Sequence, residues 1–327
     1  MSEYILKRLL YSIPTFIAVS IATFLIVQLP PGDYLTTLMV EMADSGGIDE
    51  STLHALREQY GIGQPIYIQY LKWMHGIIFD FNFGISFEKN LLVTELIFDR
   101  VGWTLVISLL TLVFIWLVAL PIGIYSAVRK YSPGDYIATT LGFLGLATPN
   151  FVLALVIMYI QFSVFNMSPG GLFSPEYIDA PWSMAKFKDL AAHIWVPIVV
   201  VGTAGTASLI RIMRANVLDE INKPYVITAR AKGMSEMKLI FKYPVRVALN
   251  PFISTIGWIL PTLISGEIIV SVVMNLPTTG PMLLRSLLVQ DMYLAGSIIL
   301  IVSVLTIIGT LISDLLLAWV DPRVRLQ

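Results

Sequence analysis

The chain has no cysteine among its 327 residues. That excludes disulfides, thiolate-held metals and cysteine nucleophiles, although it names no compartment. Charge is also scarce. Asp, Glu, Lys and Arg make up 13% of residues, against roughly 25% in soluble domains. The histidines are His54, His75 and His193, and none stands at metal-ligand spacing from another. No G-x-x-x-x-G-K-[ST] loop is present, so ATP is not expected to bind in the P-loop manner. Neither H-E-x-x-H nor G-x-S-x-G occurs. A net charge of −1 leaves no electrostatic footprint for nucleic acid.

Apolar residues fill the space left. They form 56% of the chain, and the mean hydropathy is +0.78. So much apolar surface has no place in a water-facing globule, and a bilayer is the solvent that accepts it. A crossing helix needs roughly 20 apolar residues. Six stretches qualify, at 9–29, 102–127, 137–163, 193–212, 252–274 and 295–319. The third and fifth contain Pro149 and Pro261, read as kinks inside spans. The first is too long for a signal peptide and runs into Pro30-Pro31-Gly32 rather than a small-residue cleavage site, so it reads as an uncleaved anchor.

Lysine and arginine orient the spans. Fourteen fall at 7–8, 129–130, 211–246 and 323–325, on one side; seven fall at 57–100, 186–188 and 285, on the other. The richer side is the cytoplasmic one, and it carries both termini and the 213–251 loop. The expected organisation is an N-terminal span (1–30), an extracytoplasmic subdomain (31–101) with a helix-like run at 51–60, and a transmembrane domain (102–327). A second external loop covers 164–192. Its helix-like part, 182–192, is expected to lie in the interface with Trp182 as anchor, and His193 is expected to be interfacial or structural.

The most specific stretch is 225–246, YVITARAKGMSEMKLIFKYPVR. Pro224 stands where a first helical position belongs, Gly233 where a helix stops, and Ser235 where a second helix takes its cap. A short helix, a glycine turn and another short helix are predicted. Other fragments share its pattern and order: KRLLYSIPTFIAVSIATFLIVQLPPGD, YGIGQPIYIQYLKWMHGIIFDFNFGISF, LPIGIYSAVRK, GLATPNF, RIMRANVLDEINKPYVITARAKG and DLLLAWVDPRVR. Together, in this spacing, they resemble the peptide-type permeases of ABC importers.

The resemblance implies an all-α integral membrane fold of six transmembrane helices, with the external subdomain between spans 1 and 2. It implies a transport subunit of the cell membrane, not an enzyme, that translocates dipeptides or oligopeptides. Oligosaccharide or nickel transport by the same machinery is the alternative. The chain itself is expected to bind no cofactor; ATP and Mg sit on two partner ATPase subunits. A second permease, expected to be a different chain, and an extracytoplasmic solute-binding protein complete the assembly within membrane lipid. In the 225–246 loop, Tyr225, Thr228, Ala229, Arg230, Ala231, Lys232, Gly233 and Ser235 carry the coupling to the ATPase in this likeness. Ile227-Thr228-Ala229 replaces the Glu-Ala-Ala with which such loops often begin, and Leu276-Pro277-Thr278-Thr279-Gly280 replaces Trp-Pro-Gly-Leu-Gly.

Charge inside a span is costly and faces protein or water. Asp314 lies near the cytoplasmic end, where water, Arg323 or Arg325 is expected to compensate it. Family members tend to carry a glutamate at the place of Ser271; here Glu267 stands one turn earlier on the same helical face. Glu267 and Ser271 are therefore pathway candidates, with a glutamate bonded to a neighbouring helix as the equal alternative reading of Glu267. A gradient-driven secondary transporter would show inverted repeats and paired intramembrane charges. Neither is found. An intramembrane enzyme would need a catalytic constellation, and none appears.

Overall fold

Lipid offers no hydrogen bonds, so a long apolar run satisfies its backbone by coiling into helix. The computed structural model of the chain describes residues 2–28, 64–86, 88–89, 91–165, 168–256, 259, 262–263, 268–289 and 291–320. Its helices are α1 (Ser2–Gln28), α2 (Ile66–Phe79), α3 (Val93–Val128), α4 (Pro133–Ala147), α5 (Asn150–Phe165), α6 (Met184–Ile221), α7 (Pro224–Ala231), α8 (Glu236–Lys242), α9 (Pro244–Ser254), α10 (Ile268–Val273), α11 (Thr279–Leu288) and α12 (Met292–Val320). A two-residue hairpin pairs β1 (Ile85–Ser86) with β2 (Leu91–Leu92).

Among the described residues four helices are long and apolar enough to cross a membrane, or five if α4 and α5 form one span. The expected fifth span, 252–274, falls partly on residues outside this description, Pro261 and Glu267 among them. The helix-like run at 51–60 also lies outside it.

Two expectations need correction. The third span is not a kinked helix: α4 and α5 meet at 103°. Proline disfavours helical geometry in the residue before it, and Thr148 is extended at φ −86°, ψ 121°. The Thr148 N–H and hydroxyl both donate to Leu144 O, at 3.0 and 2.8 Å, which closes the end of α4. The run at 182–192 is no separate interfacial helix. Ser183 caps its start by accepting from Lys186 N at 3.2 Å, and the helix then runs 38 residues without a break. The helix that holds the second span, 102–127, already begins at Val93 and is 36 residues long. At 1.5 Å per residue both α3 and α6 exceed 50 Å, against a hydrocarbon core of about 30 Å. Each therefore projects well beyond the bilayer.

The chain divides into two units, Met1–Leu9 with Trp103–Pro277 and Leu305–Gln327, and Leu10–Gly102 with Thr278–Val304. In the first, α6 is the central post. Small residues let α3 and α4 close on it: a Cβ at Gly145 would lie 2.6 Å from Thr203 Cγ2, and one at Gly123 2.7 Å from Met213 Cβ. Ile115, Leu209, Met213, Val217 and Phe252 form its buried core. At the other end of α6, His193 is buried rather than interfacial. Its Nδ1 lies 2.8 Å from Asp189 O, and the Asp189 carboxylate accepts from Ser174 N and Oγ. Asp314 is paired with Arg8 at 3.2 Å; Arg323 and Arg325 lie outside the described residues.

In the second unit, α2 packs on α1 through Phe24, whose ring lies 5.6 Å from those of Tyr70 and Trp73, and through Ser20, whose hydroxyl meets Tyr70 OH at 2.7 Å. The hairpin is pinned by Asp291. This buried carboxylate accepts from Ser86 Oγ at 2.5 Å and caps α12 through Leu294 N at 3.3 Å. Burial pushes the Asp291 carboxyl above the usual range, against the lowering effect of those bonds.

Candidate functional site

The 224–242 segment folds as the residues dictate. Pro224 opens α7 at a position whose N–H needs no partner. Lys232 ends it and Gly233 follows at φ +78°. Gly233 N donates to Arg230 O at 3.0 Å and Met234 N to Ala229 O at 3.4 Å. This pair of bonds is the Schellman closure, which returns two orphaned carbonyls to partners. A Cβ at Gly233 would meet nothing within 4 Å, so only the left-handed backbone demands glycine here. Ser235 occupies the N-cap of α8 in an extended conformation, but its hydroxyl makes no cap bond. Glu236 closes the turn instead, through a bidentate pair with Arg230 at 2.6 and 3.2 Å. Each partner stabilises the charge of the other, holding the Glu236 carboxyl below and the Arg230 guanidinium above its usual range.

Two faces result. Val226, Ala229, Leu239 and Ile240 are buried in the core around Met213 and Val217 of α6. Fully burying a Val, Leu or Ile side chain contributes about 1.5–3 kcal/mol, so the two short helices are firmly seated. Ala229, one of the expected coupling residues, faces this core, whereas Tyr225, Thr228, Arg230, Ala231, Lys232, Gly233 and Ser235 are exposed. Ile227, Phe241 and Met237, the last 68% exposed, present large apolar groups beside Arg230 and Lys232. The Tyr225 hydroxyl donates to the Glu220 carboxylate at the end of α6, and its ring lies 6.1 Å from Tyr243. Burial, and then Glu220, push the Tyr225 phenol up to about 12, so it keeps its proton throughout the physiological range. Thr228 Oγ1 donates back to Pro224 O at 2.9 Å.

Two residues near this site escaped sequence reasoning. Arg214 on α6 donates from Nε and Nη2 to the two carboxylate oxygens of Asp135 at 3.0 and 2.9 Å. Asp135 also accepts from Tyr131 N, in a turn where Tyr131 takes φ +66°. The clue was local: Ser132-Pro133-Gly134-Asp135 is a capping pattern, and Ser132 Oγ does accept from Asp135 N at 3.3 Å. The partner on α6 is 79 residues away. Together these contacts fasten the α3–α4 turn to α6 two turns before the helix pair.

The pathway candidates are not part of this cluster. Ser271 is buried on α10, whose neighbours Val270 and Met274 pack with Ala154 of α5 and Val200 of α6. Glu267 lies outside the described residues. The helix pair is joined through its buried face to α6, a helix longer than a bilayer is thick.

Comparison with known proteins identifies the family. The chain is 35% identical to the oligopeptide transport system permease protein AppB of Bacillus subtilis, over 99% of this chain and 100% of AppB. It is 30% identical to the dipeptide transport system permease protein DppB of Escherichia coli K12, over 99% of each. Among solved structures, a chain of the MetNI methionine ABC transporter in inward-facing conformations matches with a TM-score of 0.54 at 14% identity, covering 69% of this chain and 96% of that one. At that identity the match speaks for the fold alone. Residues 119–326 match the family described as binding-protein-dependent transport system inner membrane component, and residues 1–109 match its N-terminal family. The chain is therefore a member of the binding-protein-dependent transport permeases, and a multi-pass membrane protein.

Proposed function

We propose that this chain is one of two permease subunits of an importer that moves short peptides, with α7 and α8 docking on a partner ATPase. The observation that carries the reading is the helix pair itself. Its inner face is locked to α6, its outer face exposes Ile227, Met237 and Phe241, and Gly233 fixes the angle between its halves. A docked subunit that moves α7 and α8 must move α6 with them. ATP binding in the partner shifts the permease only as far as these contacts differ between its two states.

In this reading the termini and the helix pair face the cytoplasm, in keeping with the 14-to-7 basic asymmetry. A solute-binding protein delivers substrate to the opposite side, and ATP and Mg are bound by the partner. The peptide substrate rests on the full-length likeness to AppB and DppB. Glu267 and Ser271 are the proposed polar points of the pathway. The test is uptake by vesicles holding this chain, its companion permease and the ATPases, supplied with the binding protein. Peptide accumulation that needs both ATP and the binding protein is expected. Accumulation of an oligosaccharide or nickel but no peptide would overturn the substrate; uptake driven by an ion gradient without ATP would overturn the mechanism.

A further inference from the structure

The described residues of the second unit enclose a cleft of about 560 Å³ beside α2, lined by Lys72, Trp73, His75, Asp80, Asn82 and Tyr293 among others. Ligand clefts range over about 300–1,000 Å³. Its floor is rigid. Asn82 N donates to Gly76 O at 2.9 Å, and the Asn82 side-chain oxygen accepts from Gly84 N at 2.9 Å. A Cβ at Gly76 would come within 3.3 Å of Asn82 O, so the turn lies hard against the helix. Lys72, His75 and Asp80 succeed one another along the helix at three- and five-residue steps, a cation at one end and a carboxylate at the other. His75 Nδ1 lies 3.8 Å from Asp80 Oδ2, at the anionic end. Trp73 and Tyr293 supply aromatic walls, and aromatic faces attract ammonium groups.

The surroundings say where the cleft sits. Ile66, Tyr67, Leu71, Ile78 and Phe79 on α2, and Phe81 beyond it, are large apolar residues left exposed. Tyr67, Leu71 and Ile78 share one face of this short helix, and an exposed apolar patch of that kind marks contact with lipid or another protein. The helix is held against α1 at Ser20 and Phe24, and the neighbouring Ile17, Ile21 and Leu25 of that spanning helix are exposed as well. Phe24 stands sixteen residues along α1 from Arg8, which is about 24 Å of helix rise and places it near the far boundary of a hydrocarbon core of about 30 Å. The strip thus continues the exposed apolar surface of α1, and the charged cleft lies beside it toward the end of that helix. This placement holds whichever way the chain is oriented and does not depend on a peptide substrate.

We propose that the cleft is a binding site for a zwitterionic aminophospholipid, its phosphate at Lys72, its ammonium at Asp80 and the aromatic wall, and its acyl chains along the exposed strip of α2. A peptide also carries an ammonium and an anion, but it brings no pair of acyl chains to run along the apolar strip. A bound lipid would tie α2 to α1 and fix the depth of this unit in the membrane.

The experiment uses the assembled transporter in nanodiscs of phosphatidylethanolamine and phosphatidylglycerol in equal amounts. Benzoylphenylalanine at position 71 reports what occupies the strip, and mass spectrometry of the complex reports which lipid survives delipidation. Expected are a crosslink to phosphatidylethanolamine, and its retention over phosphatidylglycerol by about tenfold, as opposed charges at an interface allow. Lys72→Glu should abolish that preference and Lys72→Arg should keep it. Asp80→Ala, at an exposed position, should weaken the preference for the ammonium headgroup, and serves if Lys72→Glu fails to assemble. Equal retention of both lipids, a crosslink to added peptide or to residues 29–63, or unchanged preference in Lys72→Glu and Asp80→Ala would overturn the proposal.

Discussion

Gly233→Val isolates the geometry of the helix pair. The substitution adds a β-branched side chain at φ +78°, where a Cβ meets no atom within 4 Å. The Cβ itself meets no atom, so the main cost is backbone strain, about 1–3 kcal/mol for a non-glycine residue in this region. Val226 and Leu239, buried on either side, keep both helices anchored, and the strain falls on the turn between them. The bond from Met234 N to Ala229 O, at 3.4 Å, is the one that gives first. A loss of one to two kcal/mol lowers the equilibrium constant between the closed and the opened turn by a factor of about 5–30. The apparent affinity for the ATPase falls by the corresponding fraction. In the proposed topology the binding protein docks on the opposite side of the membrane, so insertion and that docking should be unchanged. The assay is peptide-stimulated ATP hydrolysis in reconstituted complexes, titrated with ATPase subunit. Gly233→Asn is the control, because asparagine tolerates the left-handed conformation, and it should lose far less than Val. Equal loss in both variants, or full stimulation with Val, would refute the strain argument.

Other outcomes follow from the same structure. Arg214→Ala leaves the Asp135 carboxylate, 4% exposed, without its guanidinium and held by Tyr131 N; breaking a buried pair costs about 3–5 kcal/mol, and the 27% exposure of Arg214 and that remaining bond put this one at the lower end, readable as a lowered thermal midpoint that Asp135→Asn partly restores. In a chain without native cysteine, Ser174→Cys should react with an impermeant thiol reagent outside intact cells and Ser235→Cys should not; labelling of Ser235→Cys would reverse the orientation. Glu267→Gln should reduce transport while assembly stays at its wild-type level, and normal transport of every substrate tried would leave Glu267 as a packing residue.

Where the determinants were local, the sequence could be read directly. Pro224 and Gly233 specify backbone conformations that depend on little else, and the helix–turn–helix appears where they stand. Ser235 shows the limit of that logic: it takes the cap position, yet its hydroxyl stays out of the cap and the Arg230–Glu236 pair closes the turn. Pro149 shows another. A proline marks a disruption, but a 103° bend rather than a kink depends on Thr148 folding its donors back onto Leu144. Composition predicted an apolar 193–212 run, but not that the polar residues before it would join the same helix. The Asp135–Arg214 and Ser86–Asp291 pairs join residues 79 and 205 positions apart, and a single sequence holds no signal for such pairing.

The central claim is that the outer face of α7 and α8 seats the ATPase. Ala231 is exposed at the end of α7, next to the glycine turn, and a cysteine there disturbs no buried contact. In the assembled complex, a short bifunctional reagent should join Ala231→Cys to the ATPase subunit, with a yield that changes when ATP is bound. A cysteine at Asp80, in the segment expected outside the membrane, should give no such product. No crosslink from Ala231→Cys in a complex that still hydrolyses ATP in response to peptide would contradict the claim.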